Sequence, residues 1–490
     1  MESGAVARIA TDEGGIRSLA DQAFTRASGA ELVGGNNVRL LRDAAENYPA
    51  WLAAIESAER YVYFESYIIR DDISGRQFAE ALAAKARAGV AVRVVYDWLG
   101  AVGKTSGSFW SGLRAAGVEV RCFNPFRFWS PLGWVRRDHR KSLMVDGRIG
   151  FITGLCVGDP WVGKPERGIA PWRDTGIEVR GPAVAEVERA FARMWGLVGP
   201  PMPAGERVIA RQAAGDVAMR IVASEPSSGG LLRVDELVAA AARNTLWLTD
   251  AYFAGIPSYV QAIRAAALDG VDVRLLVPGG TDIPILRPIS QAGYRPLLEA
   301  GVRVFEWNGP MLHAKSAVAD GWWARVGSSN LNLASWIGNY ELDAIVENGA
   351  FARVMEEQYL TDLTNATEVL LTARSRVIHP GPLRRGGGSA GRAAAGAVRI
   401  GNTVTAAVAN RRVLVPAEAR IVGVIAVVFA VGAFVAFRWP KLFAWPLAVM
   451  LVWFAVVLAV RAYRLHVERE ARLHRERVDE RRGAVDDARS

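Results

Sequence analysis

One feature constrains this chain more than any other: the sequence repeats itself. Ala58-Glu-Arg-Tyr-Val-Tyr-Phe-Glu-Ser-Tyr67 matches Ala242-Arg-Asn-Thr-Leu-Trp-Leu-Thr-Asp-Ala-Tyr252, and Gly89-Val-Ala-Val-Arg-Val-Val95 matches Gly270-Val-Asp-Val-Arg-Leu-Leu276. Ala116-Gly-Val-Glu-Val120 then matches Ala300-Gly-Val-Arg-Val304, and a block at His139 matches one at His313. The blocks recur in the same order, with offsets between 185 (Asp250 against Glu65) and 174 (His313 against His139). Chance likeness between αβ units accounts for one such pair, not for a series in register, so a duplicated domain is expected. Helix-period stretches at Phe78–Ala88 and Tyr259–Leu268 each precede a glycine and a β-branched run. Strand, helix, strand alternation of this kind predicts an α/β fold, a largely parallel or mixed sheet covered by helices. Two halves packed about a pseudo-twofold would bring equivalent loops to one cleft.

The repeated block that carries chemistry is H-x-K-x4-D. Its first copy is His139-Arg-Lys141-Ser-Leu-Met-Val-Asp146-Gly, followed by Thr153-Gly-Leu-Cys156. The second is His313-Ala-Lys315-Ser-Ala-Val-Ala-Asp320-Gly, followed by Gly327-Ser328-Ser-Asn330. In extended chain, positions i and i+2 share a face, so each histidine lies on the side of its lysine. Two imidazoles and two ammonium groups suit a phosphodiester. The lysines offer positive charge to its non-bridging oxygens, while a neutral histidine attacks phosphorus and a protonated one donates to the departing alkoxide. A lone H-x-K is more often a solvated or structural pair; two copies with equal spacing in a duplicated frame are not.

These residues resemble the phospholipase D superfamily and, within it, the bacterial cardiolipin synthases. The resemblance runs from about Asn36 to Glu347. It takes in Phe64–Asp72, Val95–Gly100 and Trp172–Thr175 around the first motif, and Thr249–Phe253, Pro278–Asp282 and Asn339–Glu341 around the second. It implies two α/β/α sandwich halves with one active site at their interface, a phosphohistidine intermediate, no cofactor and no required metal. It further implies that Asp174 and Glu341 orient the histidines, that Ser328 and Asn330 bind phosphate, and that Asp146 and Asp320 are more structural than chemical. His139 would be the nucleophile and His313 the acid. Three positions depart from the pattern: Cys156 stands where asparagine is expected, Ala334 where synthases often carry arginine, and the apolar segments follow the catalytic region instead of preceding it.

Those segments are Ile421–Phe437 and Leu442–Val460, 17 and 19 residues counted inclusively, joined by Arg438-Trp-Pro-Lys441. Their lengths suit a transmembrane helical hairpin better than a buried helical pair. Arg411, Arg412 and Arg420 before it and Arg461 and Arg464 after it keep both flanks cytoplasmic by the positive-inside rule. The expected layout is an N-terminal extension (1–35), two halves (36–200 and 201–374), a Gly/Ala/Pro/Arg-rich linker (375–416), the hairpin (417–462) and a charged cytoplasmic tail (463–490). A bacterial inner-membrane protein with a cytoplasmic catalytic region follows from that order. The formal charge of +9 favours an anionic partner. With the hairpin, that partner is expected to be anionic phospholipid in the bilayer, and nucleic acid is not. The two cysteines form no CxxC pair, so neither a disulfide framework nor a thiolate metal site is expected. The Phe123–Trp134 stretch interleaves rings with arginines and reads equally as a lipid-interface loop or as half-buried anchors.

The function expected from all this is phosphatidyl transfer of the cardiolipin synthase type, from a lipid such as phosphatidylglycerol to a second lipid alcohol. A hydrolase that delivers the phosphatidyl group to water shares every motif residue. A nuclease with the same site fits the hairpin and flanking segments less well, and a catalytically dead scaffold would leave two intact motifs unexplained.

Overall fold

The computed structural model describes residues 21–126, 135–203, 205–206, 212–283, 286–371 and 377–378, together with scattered positions between 427 and 463. The chain divides into two compact units, one holding Met1–Phe126 and Gly133–Ala393, the other Arg127–Leu132 and Ala394–Ser490.

In the first unit, seven strands form each half. The first half contains β1 (Val33–Arg42), β2 (Tyr61–Ser66), β3 (Ala91–Asp97), β4 (Glu119–Phe123), β5 (Lys141–Val145), β6 (Ile149–Thr153) and β7 (Thr175–Arg180). The second contains β8 (Val217–Ser224), β9 (Thr245–Thr249), β10 (Asp272–Pro278), β11 (Arg303–Trp307), β12 (Ser316–Ala319), β13 (Trp323–Gly327) and β14 (Glu341–Glu347), with β15 (Ala366–Leu371) and β16 (Val377–Ile378) added at its edge. The order across the sheet is β16-β15-β11-β10-β9-β12-β13-β14-β8-β1-β7-β6-β5-β2-β3-β4. Read outward from the central β8–β1 pair, the two sides carry equivalent strands in the same sequence, which is the pseudo-twofold the repeat demands. The sheet is mixed: β2-β3-β4 and β9-β10-β11 are parallel, and the strands between them are antiparallel. Strand β1 begins at Val33, ahead of the expected boundary at residue 36, and Asn36 lies inside it. Its amide donates to Val33 and Val217 carbonyls while its oxygen accepts the Ala183 N–H, pinning the bulged β1–β8 seam.

Helices cover both faces. Val184–Leu197 and Gly349–Leu363 share one core with strands of both halves. In the first of these, Val184, Val187, Phe191, Met194 and Trp195 recur at helical spacing and are all buried. Each such side chain contributes about 1.5–3 kcal/mol on leaving water. The opposite face of each half has its own core, under Asp43–Glu56, Ile73–Arg87 and Gly107–Ala115 in the first half, and under Gly230–Ala241, Pro257–Leu268 and Leu286–Glu299 in the second. The helices expected over Phe78–Ala88 and Tyr259–Leu268 start earlier than periodicity suggested. Asp72 caps Gly75 N, and Pro257 takes the first helical position, where its missing N–H costs nothing.

In the second unit, residues 433–438 and 444–453 are helical. Among the described residues no helix is long and apolar enough to cross a membrane. Much of the expected hairpin, the linker and the charged tail lie outside the described residues, as do Arg127–Trp134 of the aromatic–arginine stretch.

Candidate active site

Each H-x-K-x4-D block enters the sheet at the same place. The aspartate ends it on a β-hairpin: Asp146 and Gly147 take φ of 54° and 67°, Asp320 and Gly321 of 50° and 60°. That left-handed pair is what a tight hairpin turn needs and explains the Asp-Gly sequence. The Asp146 carboxylate accepts the backbone N–H groups of Glu59, Arg60 and Tyr61 at 2.8–2.9 Å, and Asp320 those of Arg243, Asn244 and Thr245 at 2.7–2.9 Å. Both tie the far end of the hairpin to the start of the neighbouring strand, and their carboxylates are spent there, away from the histidines.

At the near end the two halves exchange partners. The His139 N–H donates to the Tyr340 carbonyl, next to Glu341; the His313 N–H donates to the Arg173 carbonyl, next to Asp174. The side chains follow the same crossing. His139 Nδ1 lies 2.9 Å from Glu341 Oε2, and His313 Nδ1 lies 2.7 Å from Asp174 Oδ2. Each acid therefore serves the histidine of the other half. Further donors fix both acids. Ser328 donates to Glu341 at 2.6 Å, while the Trp161 indole donates to Asp174 at 2.9 Å and the Thr175 N–H to its second oxygen. Arg140, inside the first motif, reaches the carbonyls of Glu341, Ala190 and Ser224 and so clamps the seam.

Tyr67 closes over His139 with ring centroids 4.9 Å apart and lies 5.4 Å from Lys141 Nζ; Tyr252 stands 5.9 Å from His313 and 5.7 Å from Lys315 Nζ. Both lysines turn back to the carbonyl of their own histidine. Each imidazole feels the lysine of the opposite half as well as its own, so the two motifs converge on one site.

Burial dominates the electrostatics. It lowers His139, against the pull of Glu341, and pushes His313 down to about 4, with Lys315 adding to the push. Burial alone would raise Asp174 and Glu341, but their histidine partners and the lysines outweigh it and hold both carboxylates below their ordinary values. Lys315 is lowered by burial to about 8. The free site thus holds two neutral imidazoles, each donating Nδ1–H to a carboxylate and presenting Nε2 as a lone pair.

Of the two residues expected at the phosphate, Ser328 is fully buried and its hydroxyl donates to Glu341. Asn330 keeps a buried Oδ1 without a partner among the described residues. Cys156 is a buried free thiol. Sequence reading missed the enclosure of His313 by Trp161 and Trp172, at 5.5 and 5.8 Å. It also missed the anchoring of Arg173, whose guanidinium grips Asp362 through two bonds of 2.8 and 2.9 Å. The only advance signal for either was the Trp172-Arg-Asp174 string. Among the described residues no cluster of metal-binding side chains is present.

Two imidazoles locked in one tautomer beside two ammonium groups, at the seam of a duplicated α/β/α fold, make a site for exchanging the ester oxygens of a phosphodiester by histidine chemistry. The family model described as cardiolipin synthase, PLD-like domain matches residues 51–195 and 237–363, and the chain belongs to that family. A cardiolipin synthase of Alkalihalophilus pseudofirmus is 32% identical over 345 residues, covering 68% of this chain and 67% of its own. Cardiolipin synthase A of Pseudomonas fluorescens is 35% identical over 339 residues, covering 68% and 70%. Among solved structures, phosphatidylserine synthase of Haemophilus influenzae matches with a TM-score of 0.58 at 14% identity, over 71% of this chain and 91% of that one, a likeness of fold.

Proposed function

We propose that this chain transfers a phosphatidyl group from a phospholipid such as phosphatidylglycerol to the hydroxyl of a second lipid, as the names of its cardiolipin synthase relatives suggest. The observation that carries the reading is the crossed pairing of His139 with Glu341 and His313 with Asp174. In the first step one Nε2 lone pair attacks phosphorus. The P–O bond to the leaving glycerol breaks, and the other imidazole, protonated, gives its Nε2 proton to that oxygen. In the second step the acceptor hydroxyl passes its proton to the same imidazole as its oxygen displaces the histidine from phosphorus. Lys141, Lys315 and the Asn330 amide would face the non-bridging oxygens. Since both imidazoles start neutral, the arriving phosphodiester anion supplies the field that lets one of them take up a proton.

Family resemblance favours His139 as the nucleophile. Burial favours the opposite order, because His313 is the imidazole pushed to about 4 and stays neutral longer. The C-terminal segments are proposed to form the membrane hairpin, with the catalytic unit cytoplasmic. Exposed Phe437, Trp445 and Val452 on the described helical stretches support that reading.

Purified protein in mixed micelles with phosphatidylglycerol is expected to yield cardiolipin and glycerol by mass spectrometry, and His139→Ala and His313→Ala to yield neither. Phosphatidic acid as sole product would assign water as the acceptor. Activity unchanged by both substitutions would sink the two-histidine mechanism. A reporter fused after Ser490 should face the cytoplasm; a periplasmic signal would refute the hairpin.

A further inference from the structure

The connection from β6 to β7 runs from Gly154 to Asp174, whereas its counterpart from β13 to β14 runs only from Ser328 to Tyr340. The extra length is built into a projection. Trp161 and Trp172 stand at its base, ring centroids 4.8 Å apart, and both face His313. The chain reverses at Gly163, where φ is 74° and a Cβ would lie 2.6 Å from Pro171 N, so only glycine fits. Beyond it, Lys164 N–H donates to the Ile169 carbonyl at 2.7 Å and Ile169 N–H returns the bond at 3.0 Å, closing the tip on itself. The tip is thus ordered by its own backbone, yet it offers apolar side chains to solvent: Val162 is 44% and Ile169 52% exposed, with Lys164 and Arg167 beside them.

The same end of the sheet carries exposed Leu99 and Val102 after β3, and Leu333 and Ile337 after β13. These residues come from both halves. Exposed apolar side chains gathered at one end and accompanied by basic ones mark a surface that binds something amphipathic and anionic. At the tip itself Lys164 and Arg167 outweigh Glu166 and give the matching sign.

We propose that this end of the catalytic unit docks on an anionic phospholipid bilayer, with the projection around Val162 and Ile169 set into the lipid interface. The proposal rests on the phosphatidyl-transfer reading and deepens it. A phospholipid beside the projection would pass its headgroup along the Trp161–Trp172 wall to His313 while its acyl chains stay in the membrane. Bilayer contact is thereby tied to Trp161, whose indole holds Asp174.

The test uses the full chain in nanodiscs of phosphatidylglycerol and phosphatidylcholine, in a Cys122→Ser background. A polarity-sensitive fluorophore is placed on Ile169→Cys and, as a control, on Leu268→Cys at the opposite end of the sheet. The probe at 169 should shift to the blue, be quenched by spin-labelled lipid and be shielded from iodide; the probe at 268 should respond only to iodide. Equal iodide quenching at both positions, with no effect of spin-labelled lipid, would overturn the proposal. This readout needs no turnover, so it stands or falls separately from the transfer chemistry. Val162→Asp with Ile169→Asp should raise KM for bilayer-held phosphatidylglycerol tenfold or more and leave turnover of a water-soluble short-chain analogue within twofold. An equal loss on both substrates would instead place the projection's effect in the active site and refute bilayer docking.

Discussion

In the first half, His139 lies against Tyr67 among the described residues, and 12% of its side chain reaches solvent. In the second, His313 is enclosed by Trp161, Trp172 and Tyr252, with 7% exposed, and two of those rings are lent by the first half. The backbones around the two are copies, down to the Asp-Gly turns and the N–H groups those aspartates hold. The two imidazoles are thus equivalent in backbone and unequal in surroundings, and both are lowered by burial, His313 to about 4. On the proposed mechanism that inequality would let identical side chains act as base and acid at one pH.

The largest effects should come from the histidines themselves. His139→Ala and His313→Ala are each expected to lower transfer by about 10⁴-fold or more, since each role is needed in both steps. A phosphodiester with a p-nitrophenyl leaving group separates the roles, because that leaving group needs no acid. The acid variant should still form phosphoenzyme on this substrate and the nucleophile variant should not. Peptide mapping of the trapped species then decides between the order given by family resemblance and the order given by burial. Phosphoenzyme in both variants would mean that either imidazole can attack.

The orienting acids should differ in a way their shared role conceals. At Asp174 both oxygens accept N–H groups: Trp161 and His313 on one, Thr175 on the other. Asp174→Asn must set an amide NH2 against one of these donors, so a loss of about 10³ to 10⁴ in kcat is expected. At Glu341, Oε2 meets both His139 Nδ1 and the Ser328 hydroxyl, which can rotate and accept, while Oε1 lies 3.1 Å from the same His139 nitrogen and accepts the Asn339 amide. Glu341→Gln can turn its NH2 toward Ser328 and leave its oxygen at the Oε1 position for His139 and Asn339, and about 10- to 100-fold is expected. Steady-state kinetics on both variants check the order. In the double variant Glu341→Gln with Ser328→Ala, the advantage should shrink.

Much of this was legible in the sequence, and the remainder was not for identifiable reasons. The duplication, the mixed α/β architecture and the two histidine–lysine pairs are local patterns, visible in alternation and spacing. Asp174 and Glu341 were found only through resemblance. What no local pattern shows is that each acid crosses to the other half, since His139 and Glu341 stand 202 residues apart. The bond from Ser328 to Glu341 was hidden for a similar reason: next to a phosphate motif a serine suggests phosphate, and only the fold shows its 2.6 Å contact with the acid. The tryptophans around His313 sit in the β6–β7 connection, whose counterpart in the second half is shorter, so the repeat could not point to them.

Acid should destabilise the fold chiefly through the second half. His313 titrates at about 4 in the folded chain and near the ordinary 6.5 when unfolded. Between those values the unfolded chain binds a proton that the folded site refuses, so stability rises with pH across the window and falls on acidification from 7 to 5. A shift of that size corresponds to on the order of 3 kcal/mol at its full extent. His139, also lowered, contributes with the same sign. Urea midpoints at pH 7 and pH 5 should therefore move least in His313→Gln and more in His139→Gln. Equal pH sensitivity of the two would remove the electrostatic distinction between the halves.

The motif aspartates should show the smallest effects, on stability and not on turnover. Asp146 is buried and satisfies three backbone donors of the β2 entrance; Asp320 does the same at β9 but at a more exposed turn. Water can replace a lost carboxylate at the second site more easily than at the first. Asp146→Ala is expected to cost about 2–3 kcal/mol and Asp320→Ala about 1 kcal/mol in denaturant unfolding. Each should keep kcat within about threefold per folded molecule, since neither carboxylate reaches a histidine and each acts through the hairpin turn alone. A large loss of kcat in either, with stability intact, would move that aspartate from the turn into the chemistry and break the symmetry of the two motifs at the point where the structure makes them most alike.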